Sequence, residues 1–312
     1  FKQKTAYEIP LRLVGSENVS ITVTDVNEAP IFFHGDGKVT TAIGTRDDVG
    51  YSVVLQPYGK ILVVGYSDTG NGYDFALVRY NADGSLDTTF SEDGKLTMRV
   101  GGVYDEGHSV VLQPDGKILV AGVASSGYLH TDFALVRFNA NGSLDTTFSG
   151  DGIVTTASGG KDDVSYSVAL QPDGKILVAG YSDNGSSREF ALFRYNVDGS
   201  LDTTFSGDGK LTTAIGPGFY EEGHSVVLQP DGKILVAGHS SSGYPNTDFA
   251  LVRYNADGSL DTTFSEDGKL TTAISTRDDI GYSVALQPDG KILVAGYSNN
   301  GNENDFALVR YN

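Results

Sequence analysis

The chain has 312 residues, with no cysteine, no tryptophan and a formal net charge of −18 at pH 7. This charge argues against nucleic-acid binding, because no basic stripe could neutralise phosphates, and it disfavours binding to an anionic membrane surface. A disulfide framework is excluded, and no apolar run approaches the ~20 residues of a membrane-spanning helix.

The first 33 residues do not belong to the repeats that fill the rest of the chain. Tyr7–Val14 and Val19–Thr24 are predicted to form two strands joined by a turn at Gly15–Asn18. A single hairpin is marginally stable in water, so we expect this segment to lean on the following domain. Because the chain begins with Phe1 rather than Met, we expect a processed or excised piece of a longer protein.

The end of this segment, Thr24–Pro30, reads T-D-V-N-E-A-P. It is similar to the end of a bacterial cadherin-like domain, whose last strand runs into D-x-N-[DE]-x-P. The resemblance implies that residues 1–33 are a remnant hairpin and linker of such a domain, in which Asp25 and Asn27 help to hold calcium. Carboxylate and amide oxygens suit that hard ion. The acidic motifs that would complete the site lie outside this chain, so we favour an empty, extended linker.

Residues 34–312 contain five near-copies of one stretch, of which Tyr51–Tyr80 is the first. Each copy reads apolar strand, Q-P-x-G-K turn, apolar strand, variable polar loop and F-A-L-[VF]-R-[YF]-N. The copies recur every 57 or 58 residues, counted at the residue before each Ser-Val: Tyr51, His108, Tyr166, His224 and Tyr282. A period of this length is typical of repeat architectures.

Each repeat predicts four antiparallel strands and almost no helix. Proline and glycine in the Q-P-x-G-K turn suit a tight hairpin, and a Thr-rich segment such as Lys95–Val100 supplies the fourth strand. The three main strands are apolar on both faces, so the sheets must stack on one another. Radial stacking gives a β-propeller, whereas the coils of a linear solenoid are usually much shorter. We therefore predict an all-β, five-bladed β-propeller over residues 34–312.

The order of strands along the chain predicts how the ring closes. The fifth copy stops at Asn312, after its third strand, whereas Gly35–Ile43 has the pattern of a fourth strand and precedes the first copy. We expect this N-terminal strand to pair with Phe306–Tyr311 and close the last blade.

Several short sequence motifs recur in a fixed order over Gly35–Asn312: L-D-T-T-F, D-G-K-[LV]-T-T, L-Q-P-D-G-K-I-L-V-A-G and F-A-L-V-R-Y-N-A-D-G-S. This pattern resembles the bacterial delta-60 repeat family. The resemblance implies a propeller within large secreted or surface proteins of bacteria, usually without an assigned reaction. It supplies no catalytic residues.

Loops alternate between the two faces of an up-and-down blade. One face carries the Q-P-x-G-K turns and the linkers, which are nearly invariant between copies. Its third-strand arginines need partners, because burying an unpaired charge is costly, and the expected pairs are Arg79–Asp87, Arg137–Asp145, Arg194–Asp202 and Arg253–Asp261. Arg310 has no such aspartate and must find another acceptor. Phe90 and its equivalents are predicted to wedge between blades, and Asn81–Asp87 reads as a turn rather than a calcium loop.

The other face carries the variable loops, where a rigid scaffold usually places its binding residues. The polar and aromatic side chains in or beside these loops are the predicted ligand-binding residues: Tyr73, Tyr128, His130, Arg188, Tyr244 and Asn246. Copies two and four share the sequence Ser-Ser-Gly-Tyr, whereas the others carry Asp, Asn and Gly instead.

Each connection between blades carries an acidic pair: Asp47–Asp48, Asp105–Glu106, Asp162–Asp163, Glu221–Glu222 and Asp278–Asp279. Five pairs around one rim could hold calcium or recruit a cationic ligand. The alternative, which we favour, is that each pair accepts backbone N–H bonds in its own loop. His108 and His224 follow the pairs in copies two and four, and are interpreted as loop braces because no zinc motif or nucleophile accompanies them.

These observations favour a non-enzymatic binding or scaffold module of a large bacterial cell-surface or secreted protein, acting in adhesion or ligand display. We expect an extracellular location, a glycan or protein ligand on the variable face, a monomeric module and no cofactor other than calcium. The alternatives are a carbohydrate-active enzyme, in which Asp47 or Asp162 would belong to a catalytic acid pair, and a purely structural spacer.

Overall fold

The computed structural model describes residues 37–312 except residues 126–129, 159 and 244–245. The predicted N-terminal hairpin, Asp25, Asn27, Tyr128 and Tyr244 therefore lie outside the described residues. Within the described part, nineteen β-strands form five antiparallel sheets, and the sole helix is one 3₁₀ turn at Pro57–Gly59. No described helix is long and apolar enough to cross a membrane. The all-β fold with one sheet per repeat is confirmed.

The first strand of each sheet lies nearest to the propeller axis, because the first strands of successive sheets contact one another. Each has eight residues and begins at the second or first acid of the predicted pair. These inner strands are β1 (Asp48–Leu55), β5 (Asp105–Leu112), β9 (Asp163–Leu170), β13 (Glu221–Leu228) and β17 (Asp279–Leu286).

The second and third strands form the centre of each sheet. The second strands are β2 (Ile61–Asp68), β6 (Ile118–Ser125), β10 (Ile176–Asp183), β14 (Ile234–Gly243) and β18 (Ile292–Asn299). The third strands are β3 (Tyr73–Tyr80), β7 (Thr131–Phe138), β11 (Arg188–Tyr195), β15 (Asn246–Tyr254) and β19 (Asn304–Tyr311). Both faces of these strands are largely buried in the three middle sheets, as expected for blades that stack on each side.

The outer strands are short, with four residues each: β4 (Lys95–Met98), β8 (Ile153–Thr156), β12 (Lys210–Thr213) and β16 (Lys269–Thr272). Each pairs with the third strand of its own sheet, so blades 1 to 4 have the predicted four strands. The fifth sheet, of β17, β18 and β19, has three.

Apolar side chains between successive blades form four clusters, one at each of the four interfaces. At the first interface, Phe75 and Leu77 of blade 1 pack against Val110 and Ile118 of blade 2. All four are almost completely buried. Burying each such side chain contributes roughly 1.5–3 kcal/mol, so stacking between blades is the main source of stability.

The two end blades differ from the middle ones, and here the predicted closure is not found. Lys38–Ile43 forms no strand with β19; instead, the Thr41 hydroxyl accepts a 2.8 Å hydrogen bond from Tyr80 in blade 1. Val53 of blade 1 is 63% exposed and Phe306 of blade 5 is fully exposed, whereas their counterparts elsewhere are buried. The facing surfaces of blades 1 and 5 therefore do not meet, and Lys38–Ile43 lies with blade 1.

The face with the Q-P-x-G-K turns, which we call the clamp end, is held by the predicted charge pairs. In blade 2, Arg137 Nε donates to Asp145 Oδ2 at 2.7 Å, and Lys117 Nζ lies 3.1 Å from the same oxygen. Arg137 also donates to the Val197 carbonyl of the next blade at 2.6 Å, and its guanidinium covers the Phe148 ring. Equivalent Arg–Asp pairs occur in blades 1, 3 and 4, which confirms the prediction.

The wedge position is also confirmed. Phe148 is fully buried, and a Cβ added at Gly199 of the next blade would lie 2.9 Å from its ring. Gly199 has a φ of 90°, so its lack of a side chain serves both the turn and the packing. Arg310, which lacks an aspartate, is exposed to solvent; the expected alternative acceptor is not required, since water solvates the charge.

Candidate functional site

A β-bulge in each inner strand places one side chain toward the axis. In blade 1, Gly50 pairs with Gly65 and Ser52 pairs with Val64, so Tyr51 has no residue opposite it. Bulges re-aim a side chain and increase the local twist. The bulge brings the Val49 carbonyl so close that a Cβ at Gly65 would lie 1.7 Å from it. The glycine in the second strand is therefore required by the bulge.

The same bulge recurs in all five blades, and the extra residue is always a tyrosine or a histidine. We call this set the axial ring: Tyr51, His108, Tyr166, His224 and Tyr282. Neighbouring members contact each other in order around the axis, with ring centroids 5.3, 5.5, 4.7 and 5.1 Å apart. The five blades thus present one continuous row of aromatic faces.

The axial ring lines a cavity of about 580 Å³, which also contains Tyr104, Glu106 and Thr131. This volume falls within the range of ~300–1,000 Å³ that is typical of sites for small molecules. Tyr51 and Tyr282, at the two ends of the row, are about half exposed. The remaining lining residues come from the part of each blade nearest the variable loops, which we call the cavity end.

The acidic pairs do not occupy equivalent positions in all blades. The residue three before each ring member is always acidic; it is half-buried in blade 1 and buried in blades 2 to 5: Asp48, Asp105, Asp163, Glu221 and Asp279. The second acid precedes it in blades 1, 3 and 5, as Asp47, Asp162 and Asp278. In blades 2 and 4 the second acid follows it, as Glu106 and Glu222. The second acid thus moves from four residues before the ring member to two residues before it, which places both glutamates on the inner strands, where Glu106 lines the axial cavity.

The buried acids accept hydrogen bonds from the backbone of the connecting loops. The Asp105 carboxylate accepts from Val100 and Gly101, both at 2.8 Å, and from Ser125 at 3.0 Å. The counterparts in the other blades also accept from loop N–H groups. This is the structural arrangement favoured from the sequence. The prediction that these acids hold calcium stays a prediction.

The two glutamates have different partners in the cavity. Glu106 Oε2 lies 3.3 Å from His108 Nε2 and accepts a 3.4 Å hydrogen bond from the Tyr51 hydroxyl. Glu222 instead forms an ion pair with Arg188, and its other oxygen accepts from the Tyr166 hydroxyl at 3.4 Å. His108 is also a brace, since its Nδ1 donates to the Ser165 carbonyl at 2.7 Å.

Burial controls the charge of the inner rings. Burial, reinforced by the neighbouring His239, lowers the pKa of His224 to about 3, so this ring is neutral at physiological pH. Burial likewise lowers the pKa of His239. It raises the pKa of Tyr181 to about 12, and raises that of Tyr166 further with the help of Glu222. Tyr166 and His224, which both line the cavity, are therefore neutral rings that can stack and donate hydrogen bonds.

The described residues predicted from the variable loops do not line the axial cavity, although Tyr73 contacts its lining residue Tyr104 with ring centroids 5.5 Å apart. Tyr73 stacks on Tyr66 with centroids 4.5 Å apart, and the Arg188 guanidinium lies over Tyr181 at 4.5 Å. Asn246 lines a second cavity of about 350 Å³, and His130 is exposed at the start of β7. The alternation of tyrosine and histidine was visible in the sequence. Because the histidines were interpreted only as loop braces, the sequence did not predict that these five side chains line one cavity.

The chain matches a protein family described as "Domain of unknown function (DUF5122) beta-propeller". The match covers more than half of the chain, once per blade, over residues 56–90, 113–148, 171–205, 229–264 and 287–312. This supports a β-propeller repeat family, while the resemblance to delta-60 repeats and to cadherin-like domains stays a prediction. No curated protein matches the sequence.

Among solved structures, the chain is similar to a protein of unknown function from Dyadobacter fermentans DSM 18053, at 16% identity and a TM-score of 0.51, over 83% of this chain and 74% of that one. This likeness concerns the fold alone. A gluconolactonase from Xanthomonas campestris matches at 12% identity and a TM-score of 0.42, over 79% and 69% of the two chains. An α-L-arabinofuranosidase from Clostridium thermocellum ATCC 27405 matches at 12% identity and 0.44, over 80% and 82%.

Proposed function

The chain belongs to the DUF5122 β-propeller family, and from this premise we propose that it is a binding module whose ligand lies in the axial cavity. The observation that carries the proposal is the row of five rings at bulge positions around about 580 Å³ of space. A row of aromatic faces is not needed for blade stacking, which the four apolar clusters already provide. Ring side chains with a few polar groups are typical of a small-molecule site.

A glycan is the ligand class that these groups suit best. Tyrosine and histidine rings present apolar faces on which a sugar ring can lie, and Glu106 offers a carboxylate to its hydroxyls. The ion pair of Arg188 with Glu222 adds a second polar group at the same end. The expectations of an extracellular location and of ligand display in a larger bacterial protein form part of this proposal.

A glycan array with the purified chain tests it. Tyr51→Ala combined with Tyr282→Ala removes the two half-exposed rings, and we expect affinity to fall at least about tenfold, since an aromatic contact contributes ~0.5–1.5 kcal/mol. Tyr58→Ala is the matched control, because Tyr58 is 96% exposed at the clamp end. An array that stays blank at high protein concentration, or binding unchanged in the double variant, contradicts the proposal. Loss of binding only in Tyr128→Ala with Tyr244→Ala would place the ligand on the loops instead.

A glycoside hydrolase remains the second candidate, favoured by the unlike surroundings of Glu106 and Glu222. A catalytic acid and base need different environments, and the two glutamates differ in one partner: each lies near a ring histidine and a ring tyrosine, but Glu222 also pairs with Arg188. This moves the candidate acids from Asp47 and Asp162, named from the sequence, to the glutamates. Hydrolysis of a glycan bound on the array, abolished by Glu106→Gln, would establish an enzyme.

We also propose that the ring closes through the N-terminal segment, although this structure has it apart from blade 5. The Thr41–Tyr80 hydrogen bond matches that of Thr156 in the fourth strand of blade 2 with Tyr195 in blade 3. Lys38–Ile43 therefore already lies against blade 1 as the fourth strand of a preceding blade would. By the register of the other blades, Ala307 of β19 would then lie opposite Thr40.

Disulfide cross-linking tests closure, and the absence of cysteine removes any background. Paired residues on antiparallel strands have Cα atoms ~4.5–5.5 Å apart, within the range that a disulfide spans. We expect Thr40→Cys with Ala307→Cys to oxidise within one chain. Ala76→Cys with Thr97→Cys, a pair in blade 1, is the positive control. Disulfide-linked dimers, or no bond when the control forms one, would overturn closure within a chain.

A further inference from the structure

Blades 2 and 4 differ at one position of the cavity end. Both have a glutamate on the inner strand and, two residues later, a ring histidine: Glu106 with His108, and Glu222 with His224. The residue opposite the glutamate on the second strand is Val123 in blade 2 and His239 in blade 4. Directly opposite residues have side chains within contact distance. Blade 4 therefore has one more nitrogen ligand than blade 2, and its glutamate also forms an ion pair with Arg188.

The three side chains in blade 4 converge. His224 Nε2 lies 3.2 Å from His239 Nδ1 and 3.9 Å from Glu222 Oε2. Among the described residues this is the one group of three such side chains whose ligand atoms all lie within 4.8 Å of each other. Around a tetrahedral zinc ion with bonds of about 2.0–2.1 Å, ligand atoms lie ~3.3 Å apart. Small side-chain rotations would thus place one ion within bonding distance of all three.

The surroundings suit a cation bound by two imidazoles and a carboxylate. The side chains of Glu222 and His224 are each 12% exposed, and His239 is buried, so water competes little for the site. Arg188 holds the second oxygen of Glu222, as outer-shell partners of ligating carboxylates commonly do. Asp278 lines the cavity of about 350 Å³ together with Glu222 and His239, and adds a negative charge there.

We propose that Glu222, His224 and His239 bind a divalent transition metal ion, with zinc as the best match. Two imidazoles and one carboxylate are a ligand set that zinc uses when a fourth position is left open. Calcium is disfavoured here, because it takes six to eight oxygen ligands. His224 also lines the axial cavity, so water or a ligand group there could complete the coordination. The proposal does not depend on the identity of that ligand.

The competing arrangement is a hydrogen bond between the two imidazoles, for which a separation of 3.2 Å is also suitable. Such a pair would hold the rings together without a metal. The two arrangements differ in one measurable property, namely whether the chain takes up zinc at a defined ratio.

Calorimetric titration with zinc chloride distinguishes them, using the whole chain without a histidine tag after removal of metal by chelator. We expect His239→Val, which copies blade 2, to weaken zinc binding at blade 4 by more than ~100-fold, since even outer-shell changes cost 10–100-fold. Val123→His, which copies blade 4, should raise the ratio by one zinc ion per chain. Glu106→Gln in blade 2 is the control and should leave the wild-type ratio unchanged.

Cobalt(II) in place of zinc adds a spectroscopic readout of a tetrahedral site, which should be present in the wild type and absent in His239→Val. If His239→Val fails to fold, His239→Tyr replaces it, since tyrosine occupies this position in blades 1, 3 and 5. Zinc binding that is absent in the wild type at micromolar concentrations overturns the proposal. So does binding that keeps its ratio and affinity when His239 is replaced.

Discussion

The clamp end and the cavity end of the propeller come from the same repeats, yet they tolerate different amounts of variation. At the clamp end, blades 1 to 4 share an Arg–Asp pair, a lysine from the turn and a wedged phenylalanine, and the aspartates are almost fully buried. At the cavity end, the bulge residue alternates between tyrosine and histidine, and the second acid shifts by two residues. Loss of one of these buried partners at the clamp end thus leaves a buried charge or a void, while the cavity end can change its chemistry.

Loss of one Arg–Asp pair at the clamp end should have the largest effect on stability. Asp145→Ala leaves Arg137 buried without its carboxylate and should lower the free energy of unfolding by roughly 3–5 kcal/mol, as for other buried pairs that lose one partner. Denaturant unfolding followed by circular dichroism measures this. Asp173→Ala, in the exposed Q-P-D-G-K turn of blade 3, is the control and should leave the midpoint unchanged. Equal effects of the two changes would remove the contrast between buried clamp and surface turn.

Low pH should destabilise the protein through the aspartates of the clamp end. Although burial opposes it, hydrogen bonds from Thr147 and Lys117 and the charge of Arg137 hold the pKa of Asp145 well below its usual range, and the equivalent aspartates behave alike. A carboxyl whose pKa is lower in the folded than in the unfolded protein stabilises the folded state. This contribution is complete above the unfolded-state pKa of ~3.9 and is lost as the pH falls toward the folded-state pKa.

We therefore expect the contribution of the clamps to the melting temperature to be constant from pH 7 to about 5 and to fall steeply below about pH 4. Asp145→Ala should show a shallower fall than the wild type, because it has one fewer depressed carboxyl. Parallel curves for the two proteins would show that the clamp does not govern the acid transition.

Removing a ring at the cavity end should have the smallest effect on stability. Tyr282 is half exposed and contacts His224 and Tyr297, so Tyr282→Ala should cost about 1 kcal/mol or less. The same change should weaken ligand binding, if a ligand occupies the axial cavity. A loss of stability as large as that of Asp145→Ala would mean that the axial ring is structural.

Several features of the structure followed from local patterns in the sequence. The strands, the Q-P-x-G-K turns, the Arg137–Asp145 type of pair and the position of Phe148 were all predicted, because each depends on residues within one repeat or its immediate neighbour. Repetition made these predictions safer, since a pattern found in several copies must satisfy the same local geometry each time.

The candidate site was only partly predictable. The alternation of tyrosine and histidine was visible. Aligning the repeats at these residues would also have shown that Glu106 and Glu222 stand closer to them than Asp47 does. Nothing local to His239 marks it, because it stands where other blades have tyrosine or valine. Its importance depends on lying opposite Glu222 on the next strand, which is a property of strand register.

The sequence by itself determined the repeat, the number of blades and the residues that lock each blade to the next, because these depend on periodicity and on short-range contacts. The tertiary structure alone decided which side chains face the axis and which of them meet. A one-residue bulge redirects Tyr51 and its four counterparts, and rings from five distant segments come together only when the blades stack around a common centre. The physical reason is that a cavity is formed by convergence of elements, whereas a strand is formed by its own residues.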